Sequence, residues 1–335
     1  MLLISSATLV TVISLWMARA TTRSASPTHS PTARLPARAP EPLVTKARLS
    51  ADVWQVAIEG NSELYSNGLR IDNTFGVSHR PRAYLVFPAE GTGPPEQRTT
   101  PAGIVFHSTE SQQAPFEAGH NETLKRIGES LLDYIRRRRS YHFVIDRFGR
   151  VYRVVAEGDA ACHAGHSVWA DDQWLYVNLN ESFLGVAFES QTAGREGERE
   201  ITAAQTRSAF MLTELLRARH RIAAGNCVTH AQVSVNPTNM RVGYHVDWAA
   251  EFPFEELGLP DNYAIPLPAI RVFGFDWDSV FLGAAGVRMR TGVEAAAAVM
   301  ERQAAAAGLR VPAYRPRLQQ GYRRKLAQVQ GAGVE

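Results

Sequence analysis

The chain has 335 residues, 45% of them hydrophobic and 21% charged, with a formal net charge of +3. That composition is globular; it excludes a disordered, fibrous or membrane-embedded chain, and the length suits about two domains. With only two cysteines, a disulfide scaffold and any multi-cysteine zinc or iron–sulfur site are excluded.

The charge is unevenly spread. Residues 1–45 carry +3 and residues 302–335 carry +6, from seven basic side chains between Arg302 and Lys325 against Glu335, so 46–301 is net −6. An acidic body with a basic tail is not the single basic footprint of a nucleic-acid-binding domain, so no nucleic-acid partner is expected. The tail reads first as a solvated surface helix and second as a contact for an anionic polymer or membrane surface. Oligomeric state is not legible.

In chain order, residues 2–18 form an apolar run diluted by Ser and Thr, marginal for a membrane span, followed by Ala18-Arg-Ala20. We read 1–20 as an export signal or an uncleaved anchor, although no Lys or Arg precedes the run. Residues 21–45, rich in Ser, Thr, Pro, Ala and Arg, read as a disordered linker. An exported protein of the periplasm or cell envelope is the expectation. Residues 46–100 hold strand-like stretches such as Arg82-Ala-Tyr-Leu-Val-Phe87 and form an N-terminal extension without visible chemistry.

From 101 to 264 the pattern is richer. Gly103–His107 reads as a buried strand. Asn121 is placed to cap a helix with Leu124, Ile127, Leu131 and Ile135 on one face. Residues 141–145 and 150–155 flank Asp146-Arg-Phe-Gly149, a hairpin turn. Residues 183–189 are another strand. Thr202-x-x-Gln205 is a capping box opening a long helix that the pattern ends near Gly225, with Met211, Leu212, Leu215 and Leu216 inward. Cys227–His230 is a further strand. Residues 265–335 form a helical, basic extension, with Thr291-x-x-Glu294 opening an Ala-rich helix closed by Gly308. Strands alternating with helices predict an α/β fold, a central mixed β-sheet flanked by helices, with extra N- and C-terminal segments.

Of ten histidines, eight lie within 107–245. His is the commonest ligand of catalytic zinc, which takes three protein ligands and keeps a fourth position open. His107 and His230 each end an apolar strand, where an unpartnered imidazole is costly. His245 and Asp247 alternate in Tyr244-His-Val-Asp-Trp248 and so point the same way if extended. Two strand-end histidines and a carboxylate make a His₂-carboxylate set.

Five segments in order carry a family resemblance: Ile104-Val-Phe-His107-Ser-Thr, Tyr141-His-Phe-Val-Ile-Asp-Arg-Phe-Gly149, Cys162-His-Ala-Gly165, Asn180-Glu-Ser-Phe-Leu-Gly185-Val and Thr229-His230. Over about 101–257 the chain resembles the zinc-dependent N-acetylmuramoyl-L-alanine amidases of the type 2 family, which share their fold with peptidoglycan-recognition proteins and a phage amidase. The resemblance implies one zinc per chain, held by His107, His230 and a third ligand. Asp247 is favoured as that ligand over His245, because it keeps the spacing to Phe252 and Phe254. It implies hydrolysis of the amide between N-acetylmuramic acid and L-alanine, in peptidoglycan or a muropeptide.

The family's Lys and Pro around the third ligand are His245 and Trp248 here, and Gln232 to Tyr244 is an insertion. Where some members have a catalytic Glu this chain has Ala187, so it resembles the members that use a tyrosine, here Tyr141. Glu189, two residues on, is a second catalytic candidate against a surface carboxylate. His245 is expected to stabilise the oxyanion in place of Lys. His163 is a candidate substrate contact, or a structural hydrogen bonder. Trp169, Trp174 and Tyr176 are read as sugar-stacking or loop-packing residues, and Cys162–Cys227 as a candidate disulfide. The competing readings are a recognition protein that binds peptidoglycan without cleaving it, and a zinc amidase acting on another amide.

Overall fold

A computed structural model of the chain describes residues 52–90, 93–192 and 201–332. The expected leader over 1–20 and linker over 21–45 lie outside the described residues. Among the described residues no helix is long and apolar enough to cross a membrane.

The first strands, β1 (Gln55–Glu59), β2 (Ser62–Tyr65) and β3 (Arg70–Asp72), form an antiparallel meander. They are followed by β4 (Tyr84–Pro88), β5 (Glu96–Arg98) and β6 (Gly103–Ser108). All six residues of β6 are buried, as its unbroken apolar run predicts. Helix α1 (Asn121–Arg138) buries Leu124, Gly128, Leu132 and Ile135. Asn121 is its first helical residue and not its cap; His120 precedes the helix and makes no side-chain cap.

Strands β7 (Phe143–Ile145) and β8 (Val151–Arg153) form the expected hairpin. Asp146 Oδ1 accepts from the Phe148 and Arg150 backbone N–H groups, and Gly149 takes φ +79°. A second hairpin joins β9 (Val168–Ala170) and β10 (Trp174–Val177), and the short α2 (Leu179–Ser182) leads into β11 (Phe183–Phe188).

Helix α3 (Ala203–His220) opens with the Thr202/Gln205 capping box, both reciprocal bonds present. It stops five residues before Gly225, because Arg221 turns left-handed at φ +56°. Then come β12 (Cys227–Thr229), the one-turn α4 (His230–Val233), and the small hairpin β13 (Val235–Asn236) with β14 (Arg241–Val242). The C-terminal part is α5 (Pro268–Arg271), α6 (Ser279–Ala284), α7 (Val287–Ala306) and α8 (Val311–Ala332). α7 begins at Val287, so Thr291 lies inside it and bonds back to the Val287 carbonyl. Gly308 follows its end at φ +69°.

The main sheet has the order β1-β2-β3-β8-β7-β11-β6-β12. Its pairs are antiparallel through β1–β3 and between β7 and β8, and parallel from β3 to β8 and across β7-β11-β6-β12. This is the mixed sheet flanked by helices that the sequence predicts. A second antiparallel sheet, β5-β4-β10-β9, contains the remaining long pairings.

Residues 46–100 supply three strands of the main sheet and two of the second, and 265–335 shares its core. One cluster joins Ile71, Phe106, Phe188 and Leu212 with Phe252, Phe273, Met300 and Tyr322. The sequence boundaries at 100 and 264 are therefore not breaks in the packing. Arg82, given no role by the sequence, is 2% exposed. Its guanidinium donates to the carbonyls of Glu157, Asp159, Glu181 and Phe183, tying the loop after β8 to the start of β11. Four carbonyl acceptors offset the cost of burying that charge.

Candidate metal centre

In a parallel sheet, functional groups gather at the C-terminal ends of neighbouring strands. β6 and β12 are parallel neighbours, and His107 and His230 stand at those ends. His107 lies within β6. His230 is one residue past β12 and is the first residue of α4, so it is not itself a strand residue. A capping box missed at the sequence level, Thr229 with Gln232, makes this chain reversal.

The insertion from Gln232 to Tyr244 folds as α4 and the β13–β14 hairpin. The Gly243 N–H donates to the Ser234 carbonyl, and the His245 N–H to Ser234 Oγ. The chain is thereby returned to His230. The Ala231 N–H donates to the Asp247 carbonyl, which holds Asp247 against both histidines. Trp248 then takes φ +57°, a left-handed angle that a proline ring, locked near −65°, cannot reach. The indole packs on Phe188 and Phe252.

Asp247 sits between the histidines. Its Oδ1 is 2.8 Å from His230 Nδ1 and its Oδ2 is 3.5 Å from His107 Nδ1. The Ser108 N–H also donates to Oδ2, at 3.4 Å. One donor atom from each of His107, His230 and Asp247 lies within 4.8 Å of the others. All three residues are buried, at 1%, 5% and 9% exposure. Burial alone would raise the Asp247 carboxyl, but His230 and His107 hold it far below the usual carboxylate range. Burial, with His230 adding to it, lowers His107 to about 4, so that imidazole is neutral and has a lone pair to give. His230 Nε2 is buried without a hydrogen-bond partner. Two imidazoles and an ionised carboxylate, converging in a buried spot, fit a divalent zinc.

Three further predicted residues join this group. The Tyr141 ring is 5.1 Å from that of His107, and burial and then Asp247 push its phenol above the usual range. The exposed His245 stacks on His230 at 4.8 Å and 21° between planes. The ligand group contains Asp247 and not His245. Burial followed by the neighbouring His230 lowers the pKa of His245, so it stands there as a neutral N–H donor and lacks the fixed charge of a lysine. His163, read as a candidate substrate contact, is 6% exposed. Its Nδ1 is 3.1 Å from His107 Nε2 and its Nε2 is 3.2 Å from the Phe183 carbonyl, so its ring nitrogens are both engaged inside the protein.

Glu189 is directed elsewhere. It is 4% exposed, and its Oε2 accepts from the Arg147 N–H at the hairpin turn. Burial raises its carboxyl to about 7. Among the described residues its hydrogen bonds are with Arg147, Gln205 and the Ile145 carbonyl, none with the histidines.

The candidate disulfide is corrected here, and of the two readings of the aromatic residues the packing one holds for Trp169 and Tyr176. Cys162 is exposed, Cys227 is buried, and both are free thiols, so they form no disulfide. Burial pushes the Cys227 thiol up to about 12. Trp169 is buried with its Nε1–H donated to Asn226, and Tyr176 donates to Asp171, so both pack within the second sheet. Trp174 carries Arg98 over its ring at 4.1 Å. Beside the metal group, a cavity of about 430 Å³ runs from His245 along His166 and Asn178 to Leu326, Val329 and Gln330 of α8. Nothing in the periodicity of the tail pointed to that wall.

Fold and site together define a candidate metal centre of two histidines and a carboxylate on a mixed sheet. Residues 97–241 match the family model described as N-acetylmuramoyl-L-alanine amidase. Asp247 lies six residues beyond the matched segment. Among solved structures, the chain is similar to the amidase AmiD from E. coli in complex with anhydro-N-acetylmuramic acid-L-Ala-D-gamma-Glu-L-Lys. That likeness has 21% identity over 47% of this chain and 56% of that one, with TM-score 0.36. It is also similar to AmpDh3 from Pseudomonas aeruginosa with an anhydromuramic pentapeptide, at 20% identity over 50% of this chain and 62% of that one, TM-score 0.34. A third is the amidase LysC from Clostridium intestinale, at 24% identity over 47% and 83%, TM-score 0.29. The chain thus spans just over half the length of the first of these. No curated protein sequence matches it.

Proposed function

We propose that this protein is a zinc-dependent N-acetylmuramoyl-L-alanine amidase, cleaving the amide between N-acetylmuramic acid and L-alanine in peptidoglycan or its muropeptides. The observation that carries the reading is the convergence of His107, His230 and Asp247, inside and just beyond the segment that matches the amidase family. Those three residues would hold one zinc per chain. When bound, zinc supplies Lewis acidity, polarising the scissile carbonyl and bringing the pKa of a water towards about 7.

The chain's own groups do the rest. Tyr141 keeps its phenolic proton, because burial and Asp247 both oppose ionisation. It therefore serves as a hydrogen-bond donor to oxygen that gains charge during amide cleavage. His245, exposed at the rim of the cavity, offers a neutral N–H to the substrate from the other side of His230. The amide carbonyl is accordingly held between two donors that carry no permanent charge. The cavity running from His245 to α8 accommodates the part of the substrate beyond the scissile bond.

The muropeptide substrate class is supported by the family match and by the compounds named with the AmiD and AmpDh3 structures. An exported, envelope location is the reading most consistent with the apolar run and linker at the N-terminus. The basic tail remains a candidate contact for anionic polymer or membrane. The test of function is release of stem peptide from purified peptidoglycan and from soluble muropeptide. Chelator-sensitive release supports the amidase; binding of sacculi without release supports the recognition-protein reading instead.

A further inference from the structure

His107 offers two ring nitrogens, and only a nitrogen without a proton can bind a cation. Which one is bare depends on what the other faces. His107 Nδ1 faces Asp247 and the metal group, and His107 Nε2 faces His163 Nδ1 at 3.1 Å. The other nitrogen of His163, Nε2, lies 3.2 Å from the Phe183 carbonyl. A carbonyl can only accept, so His163 Nε2 carries a proton and donates. The His163 ring is buried and, among the described residues, faces the imidazoles of His107 and His142, with His230 also acting on it against a positive charge. A neutral ring with its proton on Nε2 has an accepting Nδ1. His107 Nε2 must then be the donor, and its Nδ1 is left bare.

We propose that His163 is a positioning residue for the metal centre: by accepting the His107 Nε2–H it selects the tautomer of His107 whose Nδ1 lone pair points at the cation. This rests on His107 being a zinc ligand, the reading given above.

Two of the sequence segments are built around this task. Asn180 Oδ1 accepts the backbone N–H groups of His163, Ala164 and Gly165, at 2.8, 2.7 and 3.1 Å, and so fixes the loop that carries His163. Gly185 of β11 lies under the ring; a Cβ there would come within 2.6 Å of His163 Cγ. His142 grips the same glycine from its backbone, accepting the Gly185 N–H at Nδ1 and donating its own N–H to the Gly185 carbonyl. Asn180, Gly185 and His142 thus hold one imidazole against the Nε2 edge of His107. Outer partners of this kind change metal affinity by about 10- to 100-fold when removed.

The experiment has two arms on the full-length chain. Long-range ¹H–¹⁵N NMR of the metal-free protein at neutral pH reads the tautomer of His107 directly, with no substitution required. The proposal expects the proton on Nε2; a proton on Nδ1 overturns it. Zinc affinity, by competition with a chromophoric chelator, is then compared for wild type, His163→Leu and His163→Asn. Leu fills the space without an acceptor, and Asn returns an oxygen near the place of Nδ1. A loss of about 10- to 100-fold for Leu, largely recovered by Asn, is expected. Equal affinities, or equal losses for Leu and Asn in folded protein, overturn the proposal. If His163→Leu does not fold, the tautomer measurement decides. If wild type binds no zinc, the amidase reading fails separately, and the tautomer still reports on the His163–His107 bond.

Discussion

At the residue scale, each member of the site carries a different burden. His107→Ala or His230→Ala should remove both zinc and activity, because Asp247 and one imidazole cannot complete a three-ligand site. Elemental analysis alongside the hydrolysis assay checks this, and full zinc in His107→Ala would sink the ligand assignment. Tyr141→Phe should keep zinc and lower turnover by about 10²-fold, the usual cost of one donor to a developing oxyanion. An unchanged turnover would remove Tyr141 from the reaction. Histidines at element ends were legible because an imidazole closing an apolar run needs a partner. The orientation of Glu189 was not. Strand alternation puts it on the face of Ala187, but β11 ends at Phe188 and the carboxylate turns to the Arg147 N–H instead.

At the element scale, the glycine of β11 and the junction between β3 and β8 make separate tests. Gly185→Ala would press a methyl into the His163 ring at 2.6 Å. Overpacking of this kind costs about 1–3 kcal/mol, so the denaturant midpoint should fall. Across the β3–β8 junction, Glu63 of β2 bonds Arg153 of β8 at 2.6 Å. Burial opposes ionisation of Glu63, yet bonds from Arg153, Tyr65 and Asn73 lower its carboxyl to about 2 from 4.5. A carboxyl depressed in the folded state stabilises above its unfolded pKa and loses that contribution as pH falls towards the folded value. Stability should therefore decline between about pH 4.5 and 2, and Glu63→Gln should flatten the decline. Urea midpoints at stepped pH would measure it; parallel curves for both proteins would contradict it. Short strands were readable as types from their alternation. Their pairing was not, because joining β3 to β8 is set by long-range contacts that no local pattern encodes.

At the scale of the whole molecule, the helical extension and the catalytic segment are one packed body. Tyr322 of α8 rests edge-on against Phe273 and Phe275, and Leu326, Val329 and Gln330 wall the cavity beside His245. Tyr322→Ala should cost about 3–5 kcal/mol, in the range of large aromatic truncations in a core. Gln330→Trp, which narrows the cavity, should raise KM for a muropeptide and leave zinc content unchanged. Equal KM values would separate α8 from substrate binding. The basic run that marks this helix in the sequence reads as a solvated surface or an anionic contact, and not as a wall of the cavity. Its apolar face is sparse, and what that face covers became apparent only with the fold.

The central claim is that His107, His230 and Asp247 hold a zinc that cleaves the muramoyl–alanine amide. The measurement that tests it most directly is zinc content of untagged full-length protein, paired with stem-peptide release from purified peptidoglycan with and without chelator. The account predicts about one zinc per chain, as a three-ligand catalytic site requires, with release that chelator abolishes and added zinc restores. Protein that neither retains zinc nor releases peptide after zinc is supplied would contradict it.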